Sequence, residues 1–242
     1  MLRNCVIFAR TESLICKICN KQLTGGIVRN FQQCAICGIH YNLNAHSKNE
    51  TRRLLSNMML SACSSAQKMQ KRIDNANLQL DELELYMSPG KLYDVGAAGG
   101  FVMKAAQDRQ WEVYGNEISL SAVQWARRVY GIDIFHGFIE ESPCVFDTDF
   151  DLAVFWNTLE HMIDPVETLK IVSNMLKLGG YIHIRVPIKE PKDIEKFCEH
   201  GHTVEFNPSS LVTLGNINKM SIISESYLDT RIPCMDLLWR KE

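Results

Sequence analysis

The sequence predicts an α/β fold whose mostly parallel sheet is closed by a terminal antiparallel hairpin and preceded by a small cysteine-bearing ribbon. Three observations carry this. Strand-like and helix-like segments alternate from Lys91 to Val186, a glycine-rich turn joins the first of those strands to the first helix, and two C-x-x-C pairs stand near the N-terminus. Alternation returns the chain to the same end of the sheet after each strand, so the strands run parallel and helices cover both faces.

Taken in order, residues 1 to 45 lack helical periodicity and hold the paired cysteines. From Thr51 to Arg72 apolar residues recur at three- and four-residue steps (Leu54, Leu55, Met58, Met59, Ala62, Ala66, Met69), which is an amphipathic helix. A second short helix covers Leu78 to Met87, and Ser88-Pro89-Gly90 breaks the chain before a strand at Lys91 to Val95. The series continues with helix Gly100 to Gln110, strand Glu112 to Asn116, helix Ser119 to Tyr130, strand Ile132 to Phe135, strand Phe150 to Trp156, helix Pro165 to Leu176 and strand Tyr181 to Val186. Helix Ser209 to Gly215 and the runs Ser221 to Tyr227 and Cys234 to Trp239 close it. The domain division expected is ribbon 1–46, helical linker 47–88 and ligand-binding body 89–242.

Composition bounds the function class. The chain has 242 residues, 46% hydrophobic and 22% charged, enough apolar material for a sizeable core. Disorder and collagen-like repeats are excluded, and no apolar run approaches the roughly 18 residues that span a bilayer, so a cytoplasmic chain with no membrane partner is expected. The net charge of −2 hides an asymmetry: residues 1 to 75 hold eleven lysines and arginines against three acids, +8 in all, which leaves −10 for the rest. A basic front of this kind meets nucleic acid, meets a phosphorylated small molecule, or is only a solvated surface.

Nine cysteines is an odd number, a poor basis for a disulfide framework. Cys16-Lys-Ile-Cys19 and Cys34-Ala-Ile-Cys37 have instead the spacing of a four-thiolate zinc site, which would be structural because four sulfurs fill a tetrahedron. Asn20 and Gly38, which follow the two pairs, are the residue types that best tolerate the left-handed backbone such knuckles need. Four free buried thiols are the competing explanation. His40 and His46 are spare ligands, and Cys5, Cys63, Cys144, Cys198 and Cys234 show no metal spacing.

Asp94-Val-Gly96-Ala97-Ala98-Gly99-Gly100 lies between a strand and a helix, where a ligand can approach the backbone. It fails the dinucleotide fingerprint at two of three glycines and lacks a Walker lysine. Asp94 would repel a pyrophosphate but suits an ammonium group, and Glu117, at the end of the second strand, can accept from both hydroxyls of a ribose. An amine and a ribose without phosphates describe S-adenosylmethionine.

At this point the sequence resembles the class I S-adenosylmethionine-dependent methyltransferases over roughly residues 85 to 230. DVGAAGG resembles their first motif with Ala98 for the middle glycine, and WEVYGNEIS their second strand. HGFIEE, FDLAVFWNTLEHMIDP and LKLGGYIHIRVP resemble the later motifs in the same order. The resemblance implies a Rossmann-like sheet and the ribose acid at Glu117. It also implies adenine contacts from Ile118, Phe138 and Ile139, and a cofactor or acceptor contact from Asn157.

Methyl transfer to oxygen or to an acidic carbon needs a base as well as alignment. His161 and Glu160 follow the fourth strand, and His202 lies in Glu199-His-Gly-His-Thr-Val-Glu-Phe206, which resembles an H-x-x-x-F element of sugar and quinone-precursor methyltransferases. A Glu-His pair at that place can equally cap or pack the next helix. The predicted acceptor is a small molecule, a sugar or nucleotide-linked sugar or a natural-product intermediate. The alternatives are ribosomal or transfer RNA bound through the ribbon, and a degenerate fold that only binds.

Overall fold

The computed structural model describes residues 15–28, 30–45, 47–53, 65–147, 149–188, 201–228 and 233–242. In chain order the strands and α-helices are β1 (Ile27–Val28), β2 (Phe31–Gln33), β3 (His40–Asn42), α1 (Ala66–Leu83), β4 (Lys91–Val95), α2 (Phe101–Gln107), β5 (Glu112–Glu117), α3 (Leu120–Tyr130), β6 (Phe135–His136), β7 (Phe150–Trp156), α4 (Pro165–Met175), β8 (Leu176–Pro187), β9 (Val204–Glu205), α5 (Pro208–Ile217), β10 (Met220–Leu228) and β11 (Cys234–Lys241). Residues 48–53 form a further helical turn. No described helix is long and apolar enough to cross a membrane.

The main sheet has seven strands in the order β10-β11-β8-β7-β4-β5-β6. Strands β4 to β8 pair in parallel, and β10 and β11 close the edge antiparallel. This is the Rossmann-like architecture expected. Neighbouring residues along a strand point to opposite faces. Tyr93, Ala153 and Phe155 therefore join α4 and α5 in one core, and Leu92, Leu152 and Val154 join α1 and α2 in the other.

Two linker helices become one in the structure. Ser65 has extended backbone and its side chain accepts from the N–H of Lys68, so α1 starts there and runs unbroken to Leu83. Ala76, Gln79, Leu80 and Leu83 form one buried stripe that carries the helix through the polar Asn75 and Asn77. The expected helix from Thr51 to Arg72 thus contains the Ser65 boundary, and 54–64 lie outside the described residues. The third parallel strand sits at Phe135–His136 because Ile132 and Ile134 pack under α3. Strand β8 starts at Leu176, five residues earlier than expected, because Leu176 already pairs with Phe150 before the Gly179 turn.

The ribbon's sheet takes its last strand from the body. Its order is β1-β2-β3-β9, with His40 opposite Glu205 and Tyr41 opposite Val204. Cys16, Ile18, Leu23, Cys34 and Ile39 share a core with Val204, Phe206 and Leu211.

Candidate active site and metal centre

The four cysteines of the ribbon converge. The sulfurs of Cys16 and Cys37 are 3.6 Å apart, those of Cys19 and Cys34 are 3.4 Å apart, and all four lie within 4.8 Å of one another. Zinc–sulfur bonds of about 2.3 Å at tetrahedral angles put sulfurs about 3.8 Å apart, so the quartet has the dimensions of a zinc site. Asn20 and Gly38 adopt the left-handed backbone (φ 52° and 77°), as the knuckle geometry requires. The hydrogen bond between the two thiols draws Cys16 down and pushes Cys37 up. Of the other cysteines, Cys144 and Cys234 are half-buried. Cys5, Cys63, Cys198, His46, Glu199 and His200 lie outside the described residues.

A cavity of about 570 Å³ opens beyond the C-terminal ends of β4, β5 and β7, the place where open parallel sheets bind ligands. Gly96, Glu117, Ile118, Phe138, Ile139 and Asn157 line it. Asp94, Ala97 and Gly99 do not reach its surface. Asp94 is buried beneath the turn, where its Oδ2 has no hydrogen-bond partner. Burial, and next the charge of Glu117, push its carboxyl up to about 7.

The turn itself shapes the site. Gly96 has φ 71°, and a Cβ there would come within 2.5 Å of Thr158 Cγ2, so only glycine lets β4 and the end of β7 approach so closely. Ala98, also left-handed at φ 54°, aims its N–H at Glu117 Oε2 at 2.9 Å, and Ser119 N–H donates to Oε1 at 2.7 Å. Two backbone donors therefore orient the carboxylate. Burial raises its pKa while these bonds oppose the rise. Along the wall, Trp156 is held by its indole N–H donating to His183 Nδ1 at 2.7 Å, and burial lowers His183 to about 4, so it stays a neutral acceptor.

The helical turn 48–53 contributes groups that composition registered only as a diffuse basic excess. Lys48 Nζ lies 5.1 Å and Arg52 Cζ 5.0 Å from the Phe138 ring centroid, and both residues pair with the next turn, at Glu140 and Glu141. Lys48 and Thr51 line the cavity beside Phe138. Their i, i+4 spacing, Lys48-x-x-x-Arg52, was the available signal, since it places both cations on one helical face. Arg72 of α1 and Asp164 at the start of α4 also reach the cavity.

Glu160, His161 and His202, separate catalytic candidates in the sequence, come together in the structure. One ligand atom from each lies within 4.8 Å of the others, and the two imidazoles meet edge to face at 4.7 Å. Of the three only His161 lines the cavity, and Glu160 and His202 stand behind it. His161 Nδ1 donates to the Gly201 carbonyl at 3.3 Å, and His202 Nδ1 to Glu205 Oε1 at 2.9 Å. Carbonyl and carboxylate can only accept, so each neutral ring keeps its lone pair on Nε2.

The ribbon holds this arrangement in place. Asn42 of β3 donates from its backbone to Thr203 O and from its side chain to His202 O, both at 2.9 Å. Thr203 N–H donates to Glu160 O at 2.9 Å, and Lys17 pairs with Asp164 at 2.7 Å.

A sequence model of the family described as a methyltransferase domain matches residues 65–221, more than half of the chain. No curated protein matches it in sequence. Among solved structures, the 1,6-didemethyltoxoflavin-N1-methyltransferase of Burkholderia thailandensis, with bound 1,6-didemethyltoxoflavin and S-adenosylhomocysteine, superposes at TM-score 0.62 and 14% identity over 86% of this chain and 96% of that one. The magnesium protoporphyrin IX methyltransferase of Synechocystis PCC 6803, with bound S-adenosylhomocysteine, does so at 0.61 and 13% over 81% and 100%. At these identities the likeness is one of fold.

Proposed function

Because the chain belongs to the methyltransferase-domain family, and is an S-adenosylmethionine-dependent methyltransferase, we propose that it methylates a small molecule at oxygen or carbon. The acceptor is a sugar, a nucleotide-linked sugar or a natural-product intermediate. The observation that carries this reading is the continuous cavity of about 570 Å³ reaching from Glu117 to His161. Its volume falls within the roughly 300–1,000 Å³ of small-molecule sites, leaving room beside the cofactor for a modest acceptor and none for a nucleic-acid helix.

The residues present fit S-adenosylmethionine. Two backbone donors occupy one lone-pair position on each Glu117 oxygen, which leaves a further position on each for the ribose hydroxyls. Asp94, buried and short of a partner at Oδ2, supplies the negative charge an ammonium group requires. Ile118, Phe138 and Ile139 give apolar walls for the adenine, and Asn157 lies toward the acceptor side. S-adenosylmethionine, when bound, supplies a methyl group already activated on a sulfonium. The protein's remaining tasks are to align an acceptor and remove its proton. His161, on the cavity wall with Nδ1 turned to the Gly201 carbonyl, is the side chain placed to act as that base. His202 and Glu160 sit behind it as orienting groups. The cysteine quartet, with sulfur spacings near those of a tetrahedron, would hold a structural zinc ion.

The test is transfer of labelled methyl groups from S-adenosylmethionine to small-molecule and RNA pools. Label should enter small molecules. His161→Asn and His202→Asn should each lower turnover by ~10²-fold or more with affinity for S-adenosylhomocysteine preserved. Label confined to ribosomal or transfer RNA would overturn the acceptor class, and normal turnover in both variants would overturn the base.

A further inference from the structure

We propose that Thr51 and Asn116 read the adenine of S-adenosylmethionine, their side-chain oxygens accepting the two N–H bonds of its 6-amino group. The inference rests on the S-adenosylmethionine reading and deepens it. Ile118, Phe138 and Ile139 offer the base apolar walls, and apolar walls hold any flat ring without selecting among bases. Thr51 lies before residue 65, where the family match begins, so its part in the site belongs to this chain's own N-terminal segment.

The motive is a pair of unsatisfied atoms. Thr51 and Asn116 both line the cavity and are buried to 5% and 4% exposure. Thr51 Oγ1 and Asn116 Oδ1 have no hydrogen-bond partner among the described residues. Buried polar atoms in folded proteins are nearly always bonded, so two orphans in the lining of one ligand cavity mark where a ligand's polar groups belong. Asp94 Oδ2, a third unpartnered oxygen beneath the glycine-rich turn, already has the ammonium group assigned to it.

Both residues stand against the adenine wall. Asn116 Nδ2 donates to the carbonyl of Gly137, the neighbour of Phe138, at 3.1 Å. That bond fixes which end of the amide is the oxygen. An amide oxygen can only accept, so its missing partner is an N–H or O–H of the ligand. Thr51 sits on the helical turn 48–53, whose Lys48 and Arg52 lie 5.1 and 5.0 Å from the Phe138 ring centroid and pair with Glu140 and Glu141. Those contacts hold the turn against the wall. The Thr51 hydroxyl has two lone pairs and a proton that rotates, so it accepts as readily as it donates. The cofactor's donors are few. Its ammonium group goes to Asp94 and its ribose hydroxyls to Glu117, which leaves the exocyclic amine, the one donor on the base, with two N–H bonds to give.

The experiment is a double-mutant cycle on binding. Wild type, Thr51→Val and Asn116→Ala are titrated calorimetrically with S-adenosylhomocysteine and with its 6-deamino analogue, in which hydrogen replaces the amine. Wild type should bind the analogue roughly 10-fold or more weakly, the loss of two hydrogen bonds between uncharged groups. Each variant should bind S-adenosylhomocysteine about 3- to 10-fold more weakly than wild type, and should lose less than wild type does on the change to the analogue. Thr51→Ser, which keeps the hydroxyl, should restore the wild-type discrimination. Thermal melts report folding. Thr51→Val keeps the shape of its side chain, so if Asn116→Ala fails to fold, the threonine arm decides. Equal weakening of both ligands in Thr51→Val, the mark of a residue that only holds its turn, overturns the proposal and leaves the cofactor reading intact. Unchanged affinity in the folded variant does the same. Failure of wild type to bind S-adenosylhomocysteine overturns the functional reading itself.

Discussion

Replacing Glu117 by glutamine keeps the side chain's shape and removes its charge. The carboxylate offers about four lone-pair positions, of which Ala98 N–H and Ser119 N–H take one on each oxygen, at 2.9 and 2.7 Å. An amide keeps one accepting oxygen, so one backbone N–H and one ribose hydroxyl lose their acceptor. A hydrogen bond to a charged group is worth about 1.5–3 kcal/mol, which makes the expected loss of affinity for S-adenosylhomocysteine roughly 10- to 150-fold. Folding stability should fall by about 1 kcal/mol, the low end of the cost of an unpaired buried donor, because the amide also escapes the desolvation that raises the Glu117 pKa. Calorimetric titration measures the affinity, and a thermal melt confirms that the variant is folded. Repeating the titration with a 2′-deoxy analogue closes a double-mutant cycle, in which the analogue should cost wild type more than the variant. An unchanged dissociation constant in the folded variant, or strict additivity in the cycle, would refute the ribose assignment.

Two further outcomes follow from the same geometry. Removing zinc, by chelation or Cys34→Ser, should lower the melting temperature. It should also depress turnover more than S-adenosylhomocysteine affinity, because β3 pairs with β9 and Asn42 holds the backbone of His202; turnover that survives loss of the ribbon's zinc would refute this link. Asp94, raised to about 7 by burial and by Glu117, holds its proton in the free protein below that pH. The unfolded chain has already lost this proton, so the stabilising contribution is present at acidic pH and is lost as pH rises through 7. Binding of an ammonium group favours the carboxylate, so cofactor affinity should rise by up to about tenfold per pH unit below 7 and level off above it. Asp94→Asn should flatten that profile, and identical profiles in variant and wild type would count against Asp94 as the ammonium group's counter-charge.

Much of the site was legible in the sequence because its signals are local. A glycine at φ 71° between a strand and a helix, an acid at a strand end and two C-x-x-C pairs each obey a short-range steric or chemical rule. The clustering of His161 with His202 was foreseeable only as two separate candidates, because they stand forty-one positions apart in the chain. Lys48 and Arg52 escaped notice as site residues because a basic pair on a helical turn has no meaning until the turn folds over Phe138.

The sequence alone determined the parallel sheet, its antiparallel closing hairpin, the acid at the end of β5 and the cysteine quartet. Alternating periodicity and turn chemistry act over a few residues and do not depend on what packs against them. Tertiary structure alone decided that α1 runs through Asn75 and Asn77, since one continuous buried stripe outweighs local polarity. It also decided that the ribbon borrows β9 from the body. A two-residue strand leaves no periodic trace, and only the unpaired edge of β3, brought beside it by the folded core, gives its backbone groups partners.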